Sequence, residues 1–197
     1  MLMTILFATN NEHKFKEIKE ILPGNITLLT LADTGISDDV AETGETLEEN
    51  ALIKARTIFS KAGIPTFADD TGLEVESLGG APGVKSARFA GEAKDMEKNI
   101  AKLLEMLHGE NNRRARFRTV IALVDGKSDY LFDGIAEGRI ISEKRGEKGF
   151  GYDPVFMPEG YDITFAEMPL SLKNEMSHRA VAFRKLAAFL SPSGETQ

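Results

Sequence analysis

The sequence contains no cysteine, which excludes disulfides, thiol nucleophiles and cysteine-ligated metals. It has no tryptophan and only three histidines, His13, His108 and His178, too few for a multi-histidine metal centre. A metal in this chain would be a hard cation on carboxylates. No apolar run approaches the roughly 18 residues of a membrane span. The opening MLMTILFATNN has an apolar run but neither a basic leader nor a small-residue cleavage site, and reads as a first strand. Positive charge is the minority: 24 Lys and Arg stand against 31 Asp and Glu, a formal net charge of -7. That balance speaks against a broad nucleic-acid footprint, which needs a basic face. It leaves room for a small anion bound by a local group of Lys and Arg. The expectation is a cytoplasmic protein with neither a membrane nor a nucleic-acid partner.

What is present is a chain of 197 residues, 42% hydrophobic, long enough to bury a substantial core. Strand-like runs are read at 4–9 and 26–30, and helical spacing through Phe15, Ile18 and Leu22 between them. Residues 33–45 read as a polar loop. A helix from Thr46 to Gly63 is well marked: Thr46 and Glu49 make a capping-box pattern, Leu47, Ala51, Ala55 and Ile58 an apolar stripe, and Gly63 a stop. PTFADD and LEVESL read as two short strands flanking a Thr71-Gly72 turn. A helix follows Asp95, and RARFRTVIALVDG with DYLFDGIAEGRII reads as a hairpin turning near Asp125-Gly126, its first strand alternating through Phe117, Val120 and Leu123. Residues 142–154 form a polar loop, a last helix starts at Ser177, and 191–197 read as a frayed tail. No repeat or linker divides the chain, so 1–197 is expected to be one α/β domain with a mixed sheet.

Several polar stretches are candidates for chemistry. ATNNEHK joins a strand to a helix, where free N–H groups and the dipole favour phosphate, with Thr9, Asn10 and Lys14 adding donors; a capped strand–helix junction is the plainer alternative. FADDTGL places Asp69 and Asp70 on opposite faces of a strand, or on a solvated turn. Glu42 lies outside the following helix and, with Asp70, could share Mg²⁺, which typically takes one or two carboxylates plus phosphate and water. In GFGYDP, Phe150 and Tyr152 either stack on a base or pack on the core, and Asp153 can accept from a ring N–H. His178 and Arg179 open a helix, where cations oppose the dipole unless an anion is near; Lys173 adds a third basic group.

Taken in order, TNNEHK, ETGETLEENALIKA, FADDTGLEV, GGAPGVKSARFAG, GFGYDPVF and SHRA resemble the non-canonical purine nucleoside triphosphate pyrophosphatases, the inosine triphosphate pyrophosphatases, across residues 8–180. The resemblance implies hydrolysis of ITP, dITP or XTP to the monophosphate and pyrophosphate. It implies an elongated α/β fold with a cleft between two lobes, a Mg²⁺ requirement and a homodimer. It assigns Thr9, Asn10, Asn11, Glu12, His13 and Lys14 to the phosphate tail. Glu42 and Asp70 are implied metal ligands, with Asp70 the general base, and Asp69 turned away or supporting them. Thr71 touches substrate, and Phe150, Gly151, Tyr152, Asp153, Lys173, His178 and Arg179 bind the nucleotide, mostly its base. Modified pyrimidine triphosphates as substrates, or nucleotide binding without turnover, are the alternatives.

Overall fold

Two parallel strands, β1 (Met3–Phe7) and β2 (Ile26–Leu29), joined through α1 (Glu12–Glu20), begin the sheet in a computed structural model that describes residues 3–37 and 40–191. The chain then passes through α2 (Leu31–Thr34) and α3 (Leu47–Ala62) into β3 (Thr66–Val75), parallel to β1 on its other side. Beyond β3 the pairing is antiparallel. β4 (Pro82–Gly83) is a short branch on β3, and α4 (Met96–Met106) leads into the hairpin of β5 (Arg114–Val124) and β6 (Asp129–Ile140). β7 (Phe156–Pro158) pairs with β6, and α5 (Leu170–Met176) and α6 (His178–Leu190) follow. The strand order is β2-β1-β3-β5-β6-β7, a mixed α/β sheet with helices on both faces. Among the described residues, no helix is long and apolar enough to cross a membrane.

The α3 stripe explains one face. Leu47, Ala51, Ala55 and Ile58 are buried against Leu6, Ala68, Val120 and Ala122. Both capping-box bonds of Thr46 and Glu49 are formed, and Gly63 ends the helix in the left-handed region. On the opposite face α1 and α6 bury Ile18, Phe183 and Leu186 against Phe7, Phe67, Ile121 and Leu123. A third cluster, with Leu103 of α4, Phe117, Phe156 and Phe165, fills the far end. Val120 therefore lies on the face opposite Phe117 and Leu123. β5 is apolar on both faces here because helices cover both.

The expected turn at Thr71-Gly72 is not there. β3 runs unbroken through it, paired residue for residue with β5 from Thr66↔Val124 to Val75↔Ala115. Gly72 serves close approach instead: a Cβ there would stand 2.6 Å from the carbonyl oxygen of Gly83 in β4. Three short elements also differ from the sequence reading. α2 starts on a Thr30–Asp33 capping box just before the expected loop and runs into it, and β7 and α5 occupy stretches left without structure. Residues 38 and 39 of that loop, and all of the expected frayed tail beyond Ser191, lie outside the described residues.

One consequence of the topology positions everything below. Along the edge of β3 that faces away from β5, pairing with β1 ends at Phe67 and pairing with β4 starts only at Leu73. Between them, around Asp69, Asp70 and Thr71, the sheet is split.

Candidate functional site

A cavity of about 750 Å³ opens at this split and wraps around the free edge of β3. Every residue named above as a candidate lines it: Thr9 to Lys14, Glu42, Asp69, Asp70, Thr71, Phe150 to Asp153, Lys173, His178 and Arg179.

At one end stands the start of α1. Asn11 is the N-cap, and its Oδ1 accepts from the backbone N–H of His13 and of Lys14, while Thr9 Oγ1 accepts from Asn11 N. The cap thus already holds two of the helix-start amides, and Lys14 turns its ammonium inward to Asp69 Oδ1 at 2.9 Å.

Asp69 and Asp70 do take opposite faces. Asp69, on the α6 side, is 2% exposed and is gripped by Lys14 and by Arg179 Nε at 3.2 Å. Burial works against its charge, but Lys14 and Arg179 overcome this and hold the carboxyl well below the usual range. Asp70, on the α3 side, accepts from Asn50 Nδ2 at 3.2 Å and lies 3.4 Å from Lys54 Nζ. Burial pushes its carboxyl up; Lys54 and Lys14 pull against this, and the neighbouring carboxylates of Glu42 and Asp69 add to the rise.

Glu42 reaches Lys54 Nζ through Oε1 at 2.8 Å and Arg88 Nη2 through Oε2 at 2.9 Å. The Lys54 ammonium therefore sits between Glu42 and Asp70 and also donates to the Asp69 carbonyl at 2.6 Å. Two oxygen donors sharing one cation are the chemistry of a hard divalent ion completed by phosphate and water, so this pair fits one. Among the described residues, no group of three or more His, Asp or Glu is gathered as a ligand set.

The other end is a buried chain of charges. Lys173 Nζ donates to Asp153 Oδ2 at 2.8 Å and to Glu17 Oε1 at 2.7 Å, and Arg179 pairs with the second oxygen of Glu17. Arg179, at a helix start, has the anions that its position requires. Ser177 brings these cations together: it ends α5 with its N–H on Lys173 O and caps α6 with Oγ on Ala180 N. Burial, with Arg179 and Lys173 close by, lowers His178 well below the ordinary imidazole value, so the ring is neutral. Its Nδ1 is buried and, among the described residues, has no hydrogen-bond partner.

The two aromatics part ways. Tyr152 packs in the core and donates its hydroxyl to Ser86 O at 2.9 Å. Phe150 stays at the cleft, 5.3 Å from the His13 ring and within 5.5 Å of Lys173 and Arg179. Asp153 Oδ2 accepts from Phe150 N as well as Lys173, so it braces the loop. Thr71 Oγ1 is 2.7 Å from Thr119 Oγ1 and takes Arg179 Nη2 at 3.3 Å.

Glu17, Asn50, Lys54 and Arg88 were not expected at the site. Asn50 and Lys54 sit one position before Ala51 and Ala55 of the buried α3 stripe.

A mixed sheet split around a charge-lined cleft defines an α/β protein with a large polar cavity. The chain belongs to the Ham1 family, whose model matches residues 5–189. It is 54% identical to a dITP/XTP pyrophosphatase of Christiangramia forsetii, covering 96% of this chain and 100% of that one. It is 52% identical to the dITP/XTP pyrophosphatase of Porphyromonas gingivalis over 94% and 96% of the two chains. The HAM1 protein structure from Coxiella burnetii superposes with a TM-score of 0.88 at 38% identity, covering 95% and 98% of the chains. The Staphylococcus aureus Ham1 structure gives 0.86 at 40% identity, over 95% and 97%.

Proposed function

We propose that this chain hydrolyses the non-canonical purine triphosphates ITP, dITP and XTP to monophosphate and pyrophosphate, in the cytoplasm, as a Mg²⁺-dependent homodimer. The observation that carries this is the gathering of basic, acidic and aromatic side chains in one cleft at the sheet split. The dITP/XTP pyrophosphatase relatives at about half identity over nearly the whole chain support the substrate class. The dimer rests on the family resemblance.

In the proposed reaction the base lies over Phe150, with Lys173, Arg179 and the neutral His178 around its edge. The phosphate tail runs past Asp70 toward Lys14 and the start of α1. Glu42 and Asp70 would hold Mg²⁺, which screens the phosphate charge when bound. A water attacks the α-phosphorus, and a carboxylate oxygen of Asp70 takes its proton. The α-phosphorus–oxygen bond to the β-phosphate breaks, and pyrophosphate leaves with the bridging oxygen. Lys14 and Lys54 face the developing charge.

The test is product analysis of ITP turnover with and without Mg²⁺. IMP and pyrophosphate are expected, with light scattering reading the assembly. Orthophosphate as the first product sinks the proposal.

A further inference from the structure

One wall of the cleft is a short turn, residues 86–90, held on every side. Ser86 Oγ accepts from Leu73 N at 2.8 Å and donates to Gly83 O at 2.6 Å, and Ser86 O takes the Tyr152 hydroxyl. Buried Asn99 of α4 brackets the turn, donating to Ala87 O at 2.9 Å and accepting from Ala90 N at 2.6 Å. Lys102 Nζ donates to Phe89 O at 2.6 Å. The long charged side chain that this fixed turn sends into the cavity is Arg88.

Arg88 leans on Glu42 at 2.9 Å; its other carboxylate, Glu92, is 3.5 Å away and 91% exposed. Lys54, the other cation on Glu42, also donates to the Asp69 carbonyl at 2.6 Å and keeps its seat if Glu42 turns to a metal. Arg88 does not. A guanidinium freed from its carboxylate inside a cleft requires another anion, and its planar fork matches phosphate oxygens. It stands on the Glu42 side, away from Phe150, Lys173 and Arg179.

We infer that Arg88 is a further phosphate-binding residue, which exchanges Glu42 for the β- and γ-phosphates and follows the departing pyrophosphate. This rests on the function proposed above. The test is calorimetric binding, in Mg²⁺, of inorganic pyrophosphate, α,β-methylene ITP and IMP to wild type, Arg88→Gln and Arg88→Lys, with thermal melts as a check on folding. Arg88→Gln is expected to weaken pyrophosphate and the triphosphate analogue by about 10–100-fold, the worth of a charged hydrogen bond. IMP binding should stay unchanged, and Arg88→Lys should recover part of the loss. Equal pyrophosphate affinity in Arg88→Gln and wild type, or an equal loss for IMP, overturns the inference. A wild-type chain that turns over no purine triphosphate overturns the function instead.

Discussion

Glu17 offers the sharpest test of the buried charge chain. It is 5% exposed and lies between Lys173 and Arg179. Burial opposes its ionisation, but the two cations hold its carboxyl below the ordinary range, so it is charged at neutral pH. Glu17→Gln keeps the volume and removes the charge. Breaking a buried pair from one side ordinarily costs about 3–5 kcal/mol. Here Lys173 keeps Asp153 at 2.8 Å and Arg179 keeps Asp69 at 3.2 Å, which places the loss at the low end. In a chain of this size ~3 kcal/mol lowers Tm by roughly 6–12 °C. A depressed carboxyl contributes stability above its unfolded pKa and loses it as pH falls through the folded one. The gap between variant and wild type should therefore be full at pH 7 and narrow below about pH 4. Differential scanning calorimetry across that range reads both, and a cycle with Lys173→Met should show coupling of about 0.5–3 kcal/mol. A variant that melts with wild type at pH 7, or a gap that does not close in acid, would refute the reasoning.

Further outcomes are expected at three positions. Asp70→Asn should fold but lose about 10²–10⁴-fold in turnover of ITP, checked by steady-state kinetics. Because burial raises the Asp70 carboxyl, its ionised form costs stability at neutral pH. Mg²⁺ at a hundred times its Kd should then add about 2.7 kcal/mol to the melt, and Asp70→Asn should lose most of that gain. For His178, the unfolded chain takes up a proton that the buried ring refuses. Stability should therefore fall as pH drops below about 6.5, by up to ~1.4 kcal/mol per pH unit, and His178→Gln should flatten that slope in pH-dependent denaturation. Gly134→Ala should lower Tm and activity together, since its Cβ would stand 2.1 Å from His178 O and 2.4 Å from Ala182 N, both backbone atoms of α6; an unchanged melt would contradict the close packing.

The α3 helix and the β5–β6 hairpin were legible because local signals and tertiary packing agree there. α3 has both cap bonds and a buried stripe, and the hairpin has long, evenly paired strands. β3 was misread because Asp, Thr and Gly carry turn chemistry. What makes it a strand is pairing with β5 more than forty residues later in the chain and the approach of β4 to Gly72, neither of which is local. α2, β7 and α5 are too short to show a period. At the site, Glu42 and the aromatics of the 142–154 loop stood out because they lie outside helices, and His178 and Arg179 because cations at a helix start oppose the dipole. Glu17, Lys54 and Asn50 escaped because a charged or polar residue inside a helix reads as solvated until its partners across the fold are known. Tyr152 and Asp153 line the cleft, yet the Tyr152 hydroxyl is taken by Ser86 O and Asp153 Oδ2 by Phe150 N and Lys173.

The unbroken course of β3 also decides where this molecule can bend. A strand paired with β5 over all ten of its residues, and pressed at Gly72 against β4, offers no hinge beneath the cleft. The spacing between Asp70 and the Arg179 anchor on Asp69 is thus set by one rigid beam. Opening and closing around a ligand is then expected beside that beam, in the exposed 142–149 segment that leads to Phe150. In hydrogen–deuterium exchange, the amides of β3 should exchange only with unfolding of the whole chain, indifferent to nucleotide. Those of the exposed 142–149 segment should exchange early and slow when the cleft is filled.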